Sequence, residues 1–231
     1  MHDSPTSVVL IHGFMQTPLC WERWVPVLQE RGMTVHTPAF PHHDGSPPEL
    51  RQNPHPELAQ VGFEDVMQHM RDHLDRIGGR PALVGHSLGG LVVQRLVAEG
   101  YGSRAVLLES AAPPGGGRID LDILRANFPL INPLRGSSLC LQSESWYQRW
   151  YSNTVTPQET HTFVQRYAVP SSRKIARETT GAHAKVDFSK PHVPLLFIAG
   201  SDDRTQTPSV NQNNRDSYTH QGTNRDYSQY P

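Results

Sequence analysis

The chain has 231 residues, 36% hydrophobic and 19% charged, with 21 basic against 22 acidic side chains. That length suits one domain with its own core, and 18 glycines plus 20 prolines are too few for a low-complexity or fibrous chain. The balanced charge offers no footprint for nucleic acid, two cysteines cannot build a disulfide framework, and no apolar run is long enough for a membrane span.

Residues 8–11 form a β-branched apolar run stopped by His12-Gly13, which predicts a strand buried on both faces. A weaker strand is predicted at 34–37. Six prolines between 38 and 56 predict a long surface loop without regular structure. Val66, Met70, Leu74 and Ile77 are spaced four, four and three, so 63–77 reads as an amphipathic helix ended by Gly78-Gly79. A short strand at 82–84 runs through GHSLGG into a helix over 91–98, and 105–108 is a further strand. The stretch 118–190 breaks this rhythm and carries Trp146, Tyr147, Trp150 and Tyr151. Their spacing allows either core packing or one wall of an apolar pocket. Strand character returns at 193–199, a turn-rich loop follows at 200–208, and 209–231 is almost entirely polar. Buried strands alternating with helices predict a mostly parallel sheet with helices on both faces. The whole chain, 1–231, then reads as one α/β domain with 118–190 as an inserted helical cap.

Three segments carry chemistry. Gly85-His86-Ser87-Leu88-Gly89 lies between a strand and a helix, the setting that a G-x-S-x-G nucleophile elbow requires. His12-Gly13-Phe14 follows the first strand. The N–H groups of Phe14 and Leu88 are the candidate pair of oxyanion donors. Gly200-Ser201-Asp202-Asp203 follows the strand at 193–199, where a carboxylate can orient a histidine. Glu109, ending the strand at 105–108, is a rival acid.

Together these residues resemble the α/β-hydrolase family over nearly the whole chain, through VVLIHGF, GHSLGG, VLLESAAPPGG and LLFIAGSDDRTQTP. More closely, TPLCWERW, PAFPHHDG, YSNTV, QRYAVPSSR and KVDFSK resemble a bacterial subgroup of small α/β hydrolases of unassigned substrate. The resemblance implies Ser87 as nucleophile, Asp203 rather than Asp202 as acid, no cofactor or metal, and a small-molecule acyl substrate such as an ester or lactone. It also implies a catalytic histidine after the last strand, which is expected at 224–230, followed by a closing helix. The sequence stops before either. The expectation is therefore a C-terminally truncated hydrolase without its histidine and inactive for that reason, able to self-associate through the surface left uncovered. The alternative is a non-catalytic hydrolase-fold protein that binds a small ligand or partner.

The 13 histidines offer no clear substitute. His220 is the only one after Asp203, but it precedes the expected last strand. His69 and His73 have metal-capable spacing without an evident third ligand, and His42-His43-Asp44 reads as a proline-rich turn. Residues 1–7 lack the basic flank and apolar core of a signal peptide, so a cytoplasmic location with reduced thiols is expected, with no nucleic-acid or membrane partner.

Overall fold

A computed structural model describes residues 7–115 and 121–218, with backbone alone for 121–124. Five strands form one sheet: β1 (Ser7–Ile11), β2 (Thr34–His36), β3 (Ala82–His86), β4 (Arg104–Leu108) and, entering last, β7 (Leu195–Ile198). Their order is β2-β1-β3-β4-β7, and every pairing is parallel. β1 and β3 are central, as their uninterrupted apolar sequences require.

Alternation along each strand sends side chains to opposite faces. Val9, Ile11, Leu83, Ala105 and Leu107 pack against α3 (Phe63–Ile77) and α4 (Leu88–Ala98), whose Val66, Met67, Met70, Leu91, Val92 and Leu96 fill the main core. Val8, Leu10 and Val84 face the other way, onto Trp21 and onto Val25 and Leu28 of α1 (Trp24–Glu30). Val106 and Leu108 continue that second face only half-buried, and Ile198 stands 46% exposed. The α3 helix has the bounds that its periodicity predicts. Gly78, at φ 65, ends it where a side chain would be strained.

The proline-rich stretch departs from expectation. It contains a helix, α2 (Pro47–Gln52), capped by Ser46, whose backbone N–H and hydroxyl both donate to Glu49. Pro47 and Pro48 occupy the first helical positions, where a missing N–H costs nothing, so here they start a helix. Nor is this stretch all surface, because Phe40 and His43 are buried.

Between β4 and β7 the chain leaves the sheet. It forms α5 (Leu121–Ile131), a short antiparallel ribbon of β5 (Leu139–Cys140) with β6 (Ser171–Ser172), α6 (Glu144–Trp146) running into a π-turn (Tyr147–Tyr151), α7 (Pro157–Tyr167) and α8 (Arg173–Glu178). Tyr147, Val164, Leu130, Ala168 and Ala176 make a second core here. Arg173 is buried and donates to the carbonyls of Pro129 and Leu130, which are orphan acceptors at the C-terminal end of α5. After β7, a helix not anticipated from its polar sequence, α9 (Pro208–Asp216), turns Val210, Asn211 and Asn214 inward. The strand expected at 224–230 and His220 lie outside the described residues.

Fully burying a large aliphatic side chain is worth roughly 1.5–3 kcal/mol. Leu91 is completely buried, so Leu91→Ala should destabilise the fold by about 2–5 kcal/mol. Val27→Ala, at a side chain 44% exposed, should change stability by less than about 0.5 kcal/mol. Urea unfolding of the two variants beside the parent measures both.

Candidate active site

The carboxyl ends of β1, β3, β4 and β7 lie on one edge of the sheet, and the residues singled out in the sequence gather there. Ser87 stands between β3 and α4 with φ 52 and ψ −116, a left-handed conformation that costs a non-glycine residue about 1 kcal/mol or more. Its backbone is tied down on both sides: its N–H donates to Leu108 O, and its carbonyl accepts from Gly90 and Ala111. The flanking glycines make the turn physically possible. A Cβ at Gly89 would sit 2.2 Å from the carbonyl oxygen of Ile11, and one at Gly85 would sit 2.3 Å from that of Gly89. Three of the four described non-glycine residues at positive φ, Met15, Ser87 and Glu109, lie on this edge.

The loop after β1 is held by bonds from distant parts of the chain. Gly13 N–H donates to Gln16 Oε1, and Met15 N–H donates to Ser171 Oγ. The Met15 carbonyl accepts from Val169 N–H. With its neighbours so engaged, the Phe14 N–H bonds no described acceptor. The Leu88 N–H, first in α4, is an orphan donor of the kind every helix start presents. Ser87, Phe14 and Leu88 line one cavity of about 530 Å³. Its other walls are mainly Ala111, Pro113, Leu130, Ile131, Ala176 and Val210, with Asn127, Thr179, Thr180 and Gln206 as polar points, and among the described residues no charged side chain lines it.

Two buried histidines support this loop. His12 Nε2 accepts from Phe40 N–H, which leaves the proton on Nδ1 to donate to Gly13 O. His43 Nδ1 faces Pro41 O, and its Nε2 lies 2.7 Å from Ser171 Oγ, the same hydroxyl that receives the Met15 N–H. Burial drives both imidazoles toward the neutral form, His12 down to about 3 and His43 to about 4. The sequence reading of His43 as part of a proline-rich turn missed this role. Its partner Ser171 is 128 residues away, in the QRYAVPSSR segment.

Asp203 is in the expected loop but does not line the Ser87 cavity. Its Oδ1 accepts from Thr205 N–H, Thr205 Oγ1 and Gln206 N–H, at 2.7, 2.9 and 2.9 Å, while Oδ2 bonds no described residue. Gln206 in turn lines the cavity. Asp202 is exposed and bonds Ser201. Glu109 is already engaged. His86 Nε2 lies 3.5 Å from its carboxylate, and together with the Gly200 N–H it holds that carboxyl below the usual carboxylate range. His86 also faces Gln16 Oε1, and Gln16 reaches Tyr151. Among the described residues no histidine ring hydrogen-bonds the Ser87 hydroxyl. Of the aromatic cluster, Tyr147 is buried in the second core with Trp146 and Tyr151 packed against it. Tyr151 also lines a separate cavity with Gln16, His86 and Glu109, and none of Trp146, Tyr147, Trp150 or Tyr151 lines the Ser87 cavity. Neither cysteine forms a disulfide, and burial pushes the Cys20 thiol up to about 12 and Cys140 to about 11.

A sequence profile of the alpha/beta hydrolase family matches residues 8–222. The chain belongs to that family. It is 34% identical over 94 residues to a pyrethroid hydrolase of Sphingobium wenxiniae, a match covering 39% of this chain and 30% of that protein's length. Its fold resembles that of an extracellular alpha/beta-hydrolase from a Paenibacillus species, described as structurally and functionally homologous to tobacco salicylic acid binding protein 2 (TM-score 0.69, 18% identity, 93% and 87% of the two chains). It also resembles the monoacylglycerol lipase of Paleococcus ferrophilus (TM-score 0.65, 17% identity, 92% and 80%). Among the described residues no helix is long and apolar enough to cross a membrane.

Ser171→Ala removes the acceptor of the Met15 N–H and the partner of His43 together. It should cost about 1–3 kcal/mol in urea unfolding at pH 7. Acid should destabilise the fold through His12. In the unfolded chain this histidine takes up a proton near pH 6.5, whereas in the folded chain it does so only near 3. The unfolded state therefore binds more protons below pH 6.5. Each such histidine lowers stability by about 1.4 kcal/mol per pH unit between these values and has no effect above them. Unfolding curves at pH 7, 6 and 5 should show that fall, and His12→Gln should reduce the slope by about one proton's worth.

Proposed function

We propose that the protein is a serine hydrolase acting on a neutral, predominantly apolar carboxylic ester or related acyl bond. The observation that carries this reading is the strained Ser87 at the mouth of a cavity lined by no charged side chain among the described residues, beside two backbone N–H groups without described acceptors. The Ser87 hydroxyl attacks the acyl carbonyl. The Phe14 and Leu88 N–H groups receive the negative charge that develops on the carbonyl oxygen, in a site whose backbone is already fixed. The free Oδ2 of Asp203 orients a histidine that takes the serine proton and returns it to the leaving alcohol. The engagement of Glu109 by His86 and Gly200 favours Asp203 for that role. A relative named for pyrethroid hydrolysis adds weight to an ester substrate.

A cavity of about 530 Å³ falls in the range of small-molecule sites, and its described walls supply no cation for a phosphorylated or anionic substrate. The residues between β4 and β7 act in this account as a cap, contributing Leu130, Ile131 and Ala176 to the acyl pocket.

Hydrolysis of p-nitrophenyl acetate, butyrate and octanoate is the test. In a form of the chain that carries a histidine able to reach Asp203 Oδ2, the account expects turnover favouring the longer neutral chains and a loss of roughly a thousandfold or more in kcat for Ser87→Ala. Without that histidine only residual turnover is expected. Saturable binding of these esters without turnover, unchanged in Ser87→Ala, would instead identify a non-catalytic ligand-binding protein.

A further inference from the structure

The fourth non-glycine residue at positive φ, His42 (φ 62), belongs to no part of the site above. Here the backbone turns so that two consecutive histidines point in opposite senses. His43 goes inward to Ser171, while the His42 ring lies over the ring of His55, 13 residues later, with centroids 3.8 Å apart and planes 6° from parallel. Glu57 completes the group. One ring nitrogen from each histidine and one Glu57 carboxylate oxygen all lie within 4.8 Å of one another. We propose that His42, His55 and Glu57 bind one divalent transition-metal ion of the zinc class, which staples the proline-rich segment to itself.

The donor chemistry favours that ion class. Two imidazoles with one carboxylate suit zinc, nickel or copper better than magnesium or calcium, which prefer all-oxygen shells. A tetrahedral zinc ion with ligands at about 2.0–2.1 Å needs its donors about 3.4 Å apart. Binding requires the two parallel rings to unstack so that both in-plane lone pairs converge on the ion, a movement open to His55 and Glu57 because both are exposed. The lone pair on His55 Nδ1 now accepts the Glu57 N–H at 3.2 Å, so it already faces the residue that supplies the carboxylate. An ion would take that lone pair in place of the N–H and leave the ring proton on Nε2 toward solvent. Asp44 lines the same surface cavity of about 660 Å³ as His42 and His55 and adds a negative charge to it, and a water would complete a tetrahedral shell. Without an ion, a left-handed histidine backbone costs about 1 kcal/mol or more, set against a single exposed ring stack.

The role is structural. This cavity shares no lining residue with the one at Ser87. The ion closes a loop from 42 to 57 around α2. His43, next to a ligand, carries the bond to Ser171 that holds the Met15 loop, so the staple steadies the support of that loop from outside.

The test is calorimetric titration of the untagged, chelator-stripped chain with zinc chloride, with melting temperature read in parallel. The expected result is one equivalent bound at micromolar concentration and a raised melting temperature. Both should be lost in His55→Ala and weakened at least tenfold in Glu57→Gln, while the metal-free melting temperatures of these exposed-site variants stay at that of the parent. His69→Ala, on the solvated face of α3, should bind as the parent does. No binding by the parent, an isotherm unchanged in His55→Ala, or loss in His69→Ala instead would overturn the proposal.

Discussion

Backbone contact at Gly89 is the constraint on which the rest depends. The first turn of α4 presses directly on the carbonyls of Ile11 and His12, with no room for a single methyl group between them. That contact brings the end of β1 beside the end of β3. Phe14 and Leu88 thereby face one cavity, and Ser87 is forced into a left-handed turn at its mouth. A larger residue would push α4 off the sheet. The elbow, the donors and the packing of α4 on Val9, Ile11 and Leu83 are thus one arrangement.

What keeps the donors in place is a set of neutral hydrogen bonds. Burial keeps His12 and His43 uncharged, so they make their hydrogen bonds without bringing a full charge into the core. Their bonds reach Phe40, Pro41 and Ser171, and Val169 adds another to Met15. The loop after β1 is therefore shaped by the proline-rich segment and by the residues between β4 and β7, as much as by its own sequence. This explains why stretches such as PAFPHHDG and QRYAVPSSR, with no catalytic side chain assigned to them, matter to the site.

The legible parts of the sequence were those whose cause is local. The elbow is a pentapeptide between a strand and a helix, and α3 declares itself through one apolar stripe. The unread parts depend on distance or position. Ser171 and Met15 are 156 residues apart, and nothing near either one announces the pairing. The α2 helix was hidden because its two prolines look like breakers until Ser46 is recognised as the cap. Polar α9 was hidden because it needs only Val210 and two inward asparagines to dock. The aromatic cluster had the right spacing for two roles, and the structure divides them: Tyr147 is buried in the second core, while Tyr151 packs against that core and also lines a cavity other than the one at Ser87.

The central claim is that Ser87 and the N–H groups of Phe14 and Leu88 form one acyl-transfer centre. It is tested most directly by a crystal structure of the chain after reaction with an alkyl fluorophosphonate. The account predicts a single phosphonyl adduct on Ser87 Oγ, with its non-bridging oxygen about 2.7–3.1 Å from both of those nitrogens. An unmodified Ser87, an adduct on another residue, or a phosphonyl oxygen turned away from Phe14 and Leu88 would contradict it.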